Sequence, residues 1–207
     1  MTSSPLAVQT PVGPAEVALD IPGEARSVLV LGHGAGGGFQ APDLTAVRDL
    51  ALARNVAVAR VTQPYRVAGR RSPAPAGQLD TAWLAVVEAL RELAPLAGLP
   101  LVAGGRSSGA RVACRTASSA GAVGLVALAF PLHPPGRPEK SRSAELLTGV
   151  PTIVVNGERD PFGIPGSTPG VIVEVLPGAD HSLRRVAGDA ARTAVDWLAQ
   201  HGWAAAG

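Results

Sequence analysis

Residues 103–112 read Ala-Gly-Gly-Arg-Ser-Ser-Gly-Ala-Arg-Val. They contain Gly105-x-Ser107-x-Gly109, with an apolar strand-like run at 99–103 before it and a helix-forming run at 108–117 after it. A serine at such a strand-to-helix turn sits on a strained corner that pushes its Oγ outward. The turn is too tight for Cβ atoms on either side, so glycine is needed at 105 and 109. The helix behind it points free N–H groups and its positive dipole end at the same spot. The motif therefore demands a strand and a helix packed together, with one nucleophilic oxygen, that of Ser107, exposed at their junction. The bland alternative is a structural turn with no chemistry.

The rest of the chain is compatible with that demand. Its 207 residues suit one domain, residues 1–207, and a domain of this size buries about 70% of its unfolded surface without staples. A hydrophobic share of 46% fits a sheet covered on both faces. The net charge is +2 and no basic run exceeds two residues, so no nucleic-acid partner is expected. Cys114 is the single cysteine, which rules out an intrachain disulfide. Inside the helix after Ser107 it reads as a buried, inert thiol. The N-terminus has no basic region followed by an apolar core, so no signal peptide is expected. The longest apolar run, 120–132, is too short to span a bilayer. A cytoplasmic protein with no membrane partner is the default.

Strand-like and helix-like patterns alternate. Residues 6–10 and 16–21 read as a hairpin, and 27–31 as a buried strand ending in Gly32-His33-Gly34-Ala35-Gly36-Gly37-Gly38. Asp43 reads as the cap of a helix running to about residue 54, with Leu44, Val47 and Ala51 on one face. After a strand at 56–62 comes a loop of about 15 residues, by ordinary priors a long one. Leu79, Trp83, Val86, Leu90 and Leu93 then recur at helical spacing. Runs at 123–130, 151–156 and 171–176 read as strands, and 183–200 as a closing helix. This alternation predicts an α/β fold, a mostly parallel sheet with helices on both faces and one antiparallel N-terminal hairpin.

A serine hydroxyl is a weak nucleophile until a base takes its proton and a third group orients that base. In α/β-hydrolases, which carry this elbow, the partners follow in the order Ser, acid, His. Asp160 follows the strand at 151–156, and His181 follows the strand at 171–176. Both therefore stand at carboxyl ends of parallel strands, on the edge where ligands bind. Glu158 and Asp180 compete as the acid, but Asp180 adjoins His181 and loop neighbours rarely face each other. His33 belongs to the glycine loop and reads as its holder, and His201 lies in the tail. For the oxyanion, the donors expected are the backbone N–H of Ser108 and that of Ala35, with Gly36 next. No G-K-[ST] follows the glycine loop and no ligand cluster has metal spacing, so neither nucleotide, metal nor other cofactor is expected.

Five segments carry a resemblance. They are Gly32-His33-Gly34-Ala35-Gly36, Gly104-Gly105-Arg106-Ser107-x-Gly109-x-Arg111-Val112, the proline-rich run 130–138, Asn156-Gly157-x-x-Asp160-Pro161-Phe162-Gly163, and His181-Ser182-Leu183. With these the chain resembles the α/β-hydrolase group that includes testis-expressed protein 30 and the hydrolase-like domain of NSL complex subunit 3. Dienelactone-hydrolase-like proteins are more distant. The family pattern has Met where Ser108 stands, and dienelactone hydrolase itself uses a cysteine where Ser107 stands. The resemblance implies a hydrolase fold and a Ser107, Asp160, His181 triad. It implies no substrate.

Two functions of different classes follow. One is a serine esterase acting on small soluble esters or thioesters through an acyl-enzyme, with a peptidase or cofactor-free perhydrolase as variants. The other is a non-catalytic hydrolase-like interaction module. The expected partner is a small-molecule ester, and the sequence specifies no oligomeric state. Loops after two strands bring Tyr65, Arg66, Arg70 and Arg71, and His133 and Arg137, to the ligand edge. Arg70 and His133 are the candidate substrate contacts. Residues 131–142 are too few for a cap domain, and four of them are prolines. An open site favouring acetate to butyrate is the expectation.

Overall fold

The computed structural model describes residues 5–207. Its eight strands are β1 (Leu6–Thr10), β2 (Gly13–Asp20), β3 (Ser27–Gly32), β4 (Val56–Thr62), β5 (Leu101–Arg106), β6 (Gly124–Leu128), β7 (Thr152–Gly157) and β8 (Val171–Leu176). They form one sheet in the order β1-β2-β4-β3-β5-β6-β7-β8. β1 pairs antiparallel with β2 and β2 antiparallel with β4; every other pairing is parallel. Gly13 closes the hairpin at φ +113°, a conformation that favours glycine.

Because β3, β6 and β7 are buried along their whole length, their sequences run apolar without alternation. The pleat sends successive residues to opposite layers. Val28 and Val30 of β3 pack in the layer of α3 (Ala76–Arg91) and α4 (Ser108–Thr116), with Trp83, Val86 and Val112. Leu29 and Leu31 pack in the layer of α1 (Pro42–Ala53) and α5 (Ala187–Gln200), with Leu44, Val47 and Leu198. β8 is an edge strand that leaves Ile172 and Val175 exposed.

Several boundaries differ from the sequence reading, each for a local reason. Asp43 does not cap α1. Pro42 occupies the first turn, Ala41 is the N-cap, and the Asp43 side chain is buried. The segment after β4 holds a short helix, α2 (Pro64–Val67), begun by Pro64, and α3 starts at Ala76. The final helix begins at Ala187, because Leu183 is left-handed (φ 50°) and a 3-10 turn, Arg184–Val186, intervenes.

Candidate active site

Ser107 lies between β5 and α4 with φ 53° and ψ −111°. Strain of this kind costs about 1–3 kcal/mol and persists only where the surroundings enforce it. The Ser107 N–H donates to the Leu128 carbonyl of β6 at 2.9 Å. β3 presses from the other side: a Cβ at Gly105 would fall 2.6 Å from the Gly32 oxygen, and one at Gly109 would collide with the Gly32 backbone. The elbow glycines are thus explained by close approach of β3.

His181 Nε2 stands 2.9 Å from Ser107 Oγ, and His181 Nδ1 stands 2.8 Å from Asp160 Oδ2. The carboxylate can only accept, so Nδ1 carries the proton and Nε2 accepts from the serine hydroxyl. The Asp160 carboxylate is fully buried. Its Oδ1 accepts from the Phe162 N–H at 2.9 Å, and its Oδ2 also accepts from Asn156 Nδ2 at 3.3 Å. Asn156 is itself fixed, since its Oδ1 accepts from Phe130 N–H (2.8 Å) and its Nδ2 donates to the Phe130 carbonyl (3.1 Å). One buried amide therefore ties the end of β6 to the acid after β7. Phe162 packs against the His181 ring, centroids 4.2 Å apart. The rival acids are engaged elsewhere: Glu158 accepts from Gly178 N–H, and exposed Asp180 accepts from Ser182, which holds its carboxyl below the usual range.

The glycine loop after β3 is pinned peptide by peptide. His33 Nδ1 donates to the Gly34 carbonyl at 2.8 Å, and Gly37 N–H donates to the same oxygen at 3.1 Å. In a trans peptide the N–H opposes the carbonyl, so these bonds fix the direction of the Ala35 N–H. Tyr65 Oη–H donates to the Ala35 carbonyl at 2.9 Å, fixing the Gly36 N–H in the same way. His33 Nε2 accepts from the Gln63 N–H at 3.2 Å, so its ring is needed neutral. Burial pushes its pKa down, against the raising effect of the Gly34 bond. Ser108 is the first residue of α4, where an N–H has no intrahelical acceptor.

A profile of the Alpha/beta hydrolase domain matches residues 25–201. The chain belongs to that family. This α/β-hydrolase is also similar in fold to several solved structures. An α/β serine hydrolase homologue from Coxiella burnetii is 19% identical, with a TM-score of 0.79, and the match covers 96% of this chain and 98% of that one. A serine hydrolase without a lid from Xanthomonas campestris is 20% identical, with a TM-score of 0.78 and coverage of 100% and 98%. A dienelactone hydrolase from Anabaena variabilis is 17% identical, with a TM-score of 0.73 and coverage of 96% and 99%. No curated protein sequence matches the chain significantly.

The structure of this hydrolase brings Ser107, His181 and Asp160 together, with Ser108 and the 33–36 loop beside them. It does not bring Arg70 to them. Arg70 is exposed, makes no ion pair among the described residues, and lines a cleft of about 250 Å³ with Gln63, Tyr65 and Leu79, none of the triad residues among its walls. Nor does His133 face the nucleophile in any hydrogen bond. Its Nδ1 meets the Pro134 carbonyl at 2.9 Å, its N–H donates to the Phe162 carbonyl, and its ring fills the space beside Gly163. Residues 131–142 fold back on themselves, Arg142 N–H donating to Leu132 O and Arg142 Nη1 to Pro131 O, and form no cap. The Cys114 thiol is buried and pushed up to about 12.

Sequence reasoning missed Arg106 and its partner Asp43. Arg106 Nε lies 3.3 Å from the buried Asp43 Oδ2, and Nη2 donates to the His181 carbonyl at 3.0 Å. The residue just before the nucleophile thus braces the histidine loop against α1. Burial raises the Asp43 pKa, opposed by the Arg106 charge. Asn156 stood in a quoted segment without a role; its signal was an amide at the end of an apolar strand.

Proposed function

We propose that this α/β-hydrolase is a serine hydrolase of small soluble carboxylic esters or thioesters, working through an acyl-enzyme. The observation that carries the reading is the unbroken path Ser107 Oγ, His181, Asp160, with links of 2.9 and 2.8 Å. Ser107 Oγ attacks the acyl carbon as His181 Nε2 takes its proton, and buried Asp160 stabilises the imidazolium. The carbonyl oxygen becomes an oxyanion and accepts from the N–H groups of Ser108 and Ala35. His181 then protonates the leaving oxygen or sulfur. Water, deprotonated by the same imidazole, attacks the acyl-enzyme and releases the acid and free Ser107.

Short acyl groups fit best. The 131–142 loop offers no lid, as in the Xanthomonas neighbour, and without a lid little apolar surface is available to desolvate a long chain. Within the family the five segments named above support kinship with testis-expressed protein 30 and the NSL complex subunit 3 domain. The single, free Cys114 suits a reducing cytoplasm.

A fluorophosphonate probe tests the reading: the wild type takes label and Ser107→Ala does not. Equal labelling of both forms sinks it. A folded protein that takes no label in either form supports the interaction-module alternative.

A further inference from the structure

Residues 180–183 carry the base of the triad, yet their main chain has few ties to the rest of the protein. Among the described residues most of its hydrogen bonds are local. Leu183 N–H donates to the Asp180 carbonyl, Ser182 N–H to the Asp180 carboxylate, and Val186 N–H to the Leu183 carbonyl. Leu183 is buried beneath them, but an apolar contact has no direction. One main-chain bond leaves the segment: Arg106 Nη2 donates to the His181 carbonyl at 3.0 Å. The guanidinium that makes it is flanked on two more sides. Its Nε stands 3.3 Å from Asp43 Oδ2. Asp43 is completely buried, and its Oδ1 accepts from the Leu44 N–H at 2.9 Å, which fixes the acid to the first turn of α1. Its Nη1 lies against Gly34, where a Cβ would fall 2.8 Å from it and 3.6 Å from Ser107 Cβ. The histidine loop and the glycine loop thus meet on one planar group.

We infer that Arg106 is a positioning residue: it sets the separation of the histidine loop and the glycine loop around Ser107, so that base and oxyanion donors meet the same acyl group. This rests on the hydrolase reading above. Arg106 adjoins Ser107 in the chain, so its place follows that of the nucleophile. A rigid planar fork suits the task, because its N–H groups point in fixed directions at several partners. A lysine ammonium on the same stem would reach Asp43 or the His181 carbonyl, but not hold both. Asp43 suits it as well. The Arg106 charge favours its ionised form, against the upward push of burial. The pair then brings no net charge to an imidazole that must become a cation during turnover. A bare guanidinium there would oppose that cation.

The first test is Arg106→Met, which keeps an apolar stem and removes the guanidinium. On p-nitrophenyl acetate kcat should fall on the order of 100-fold, the scale of a 1 Å misplacement, with KM little changed. An arginine that only stabilises the fold would lower Tm and leave kcat of the folded protein alone. Gly34→Ala is the second variant. Its new methyl collides with the guanidinium alone, so it should lower kcat in the wild type and cost far less in Arg106→Met. A third readout needs no turnover. Nitrogen NMR of the neutral His181 ring should show one tautomer, Nδ1–H, in the wild type and a mixture in Arg106→Met. Wild-type kcat in Arg106→Met, a loss carried by KM alone, equal costs of Gly34→Ala in both backgrounds, or an unchanged tautomer each overturn the inference. If Arg106→Met does not fold, the ring tautomer in Gly34→Ala decides, since the methyl reaches the histidine loop by way of Arg106. Failure of the hydrolase reading looks different: the wild type turns over no ester, and the tautomer alone then decides the role of Arg106.

Discussion

The two flanks of Ser107 are built on opposite terms. On the His181 flank, both oxygens of Asp160 and both amide atoms of Asn156 are spoken for by protein partners. On the α3 flank, the buried Gln63 Oε1 and Trp83 Nε1 have no hydrogen-bond partner among the described residues. A closed polar network has one arrangement and holds it, which is what proton transfer over fixed distances needs. A buried donor or acceptor left unpaired fixes no arrangement and carries its own desolvation cost. The contrast separates a flank fixed by its own bonds from one left partly unsatisfied.

The strongest way to break the machinery flank is Asp160→Asn. It should lower kcat by about 10⁴-fold with KM little changed, because the imidazole loses the partner that sets its tautomer. Steady-state kinetics on a short ester measures this. Wild-type turnover in that variant would move the role to Glu158 or Asp180.

Asn156→Ala attacks the same flank through stability. It leaves the Phe130 N–H and carbonyl unpaired in a fully buried place. Each such group costs about 1–3 kcal/mol. Together they should lower Tm by roughly 10 °C, seen by calorimetry; an unchanged Tm would mean that the amide holds nothing together.

His33 joins the flanks, since one ring nitrogen holds the glycine loop and the other meets Gln63. Burial lowers its pKa from the usual 6.5. The unfolded chain therefore takes up this proton first as the solution is acidified, and stability falls in that direction. The contribution of neutral His33 is complete above pH 6.5 and is lost as pH drops below that, through the folded-state value. The fall of Tm from pH 7 to pH 5 should be shallower in His33→Asn. Parallel slopes in the two proteins would remove His33 from the account.

Cys114 gives the smallest effect and tests neither flank alone. Its thiol is buried and pushed up to about 12, so native protein at pH 8 should resist iodoacetamide and react only after denaturation. Rapid alkylation of the native form would show that α4 opens.

What could be read in advance follows the range of the forces involved. The order of strands and helices was legible because β3 to β7 are covered on both faces and spell apolar runs. Ser107, Asp160 and His181 could be grouped because each stands just past a strand end, and parallel strands put those ends on one edge. Asp43 was misread because an acid at a helix start looks locally like a cap, while its partner Arg106 lies on a distant strand. The turn of helix at Pro64–Val67 hid among prolines, glycines and arginines whose composition suggests loop. Tyr65 reads only as a residue at the ligand edge and Gln63 carries no local signal, because their bonds to Ala35 and His33 exist only once β3 and β4 lie side by side.

β8 ends the sheet; on its outer border Thr168 bridges Val171 and Ser167 Oγ accepts from the Val173 N–H, while Ile172 and Val175 meet solvent. Unsheltered strand borders are templates on which further chains can stack. Glu174 is the single charge in that strand, set between the pair of exposed apolar residues. Two copies approaching border to border bring like carboxylates near each other, and this repulsion is the strand's own safeguard against stacking. The strand that carries this safeguard contributes nothing to the chemistry at Ser107.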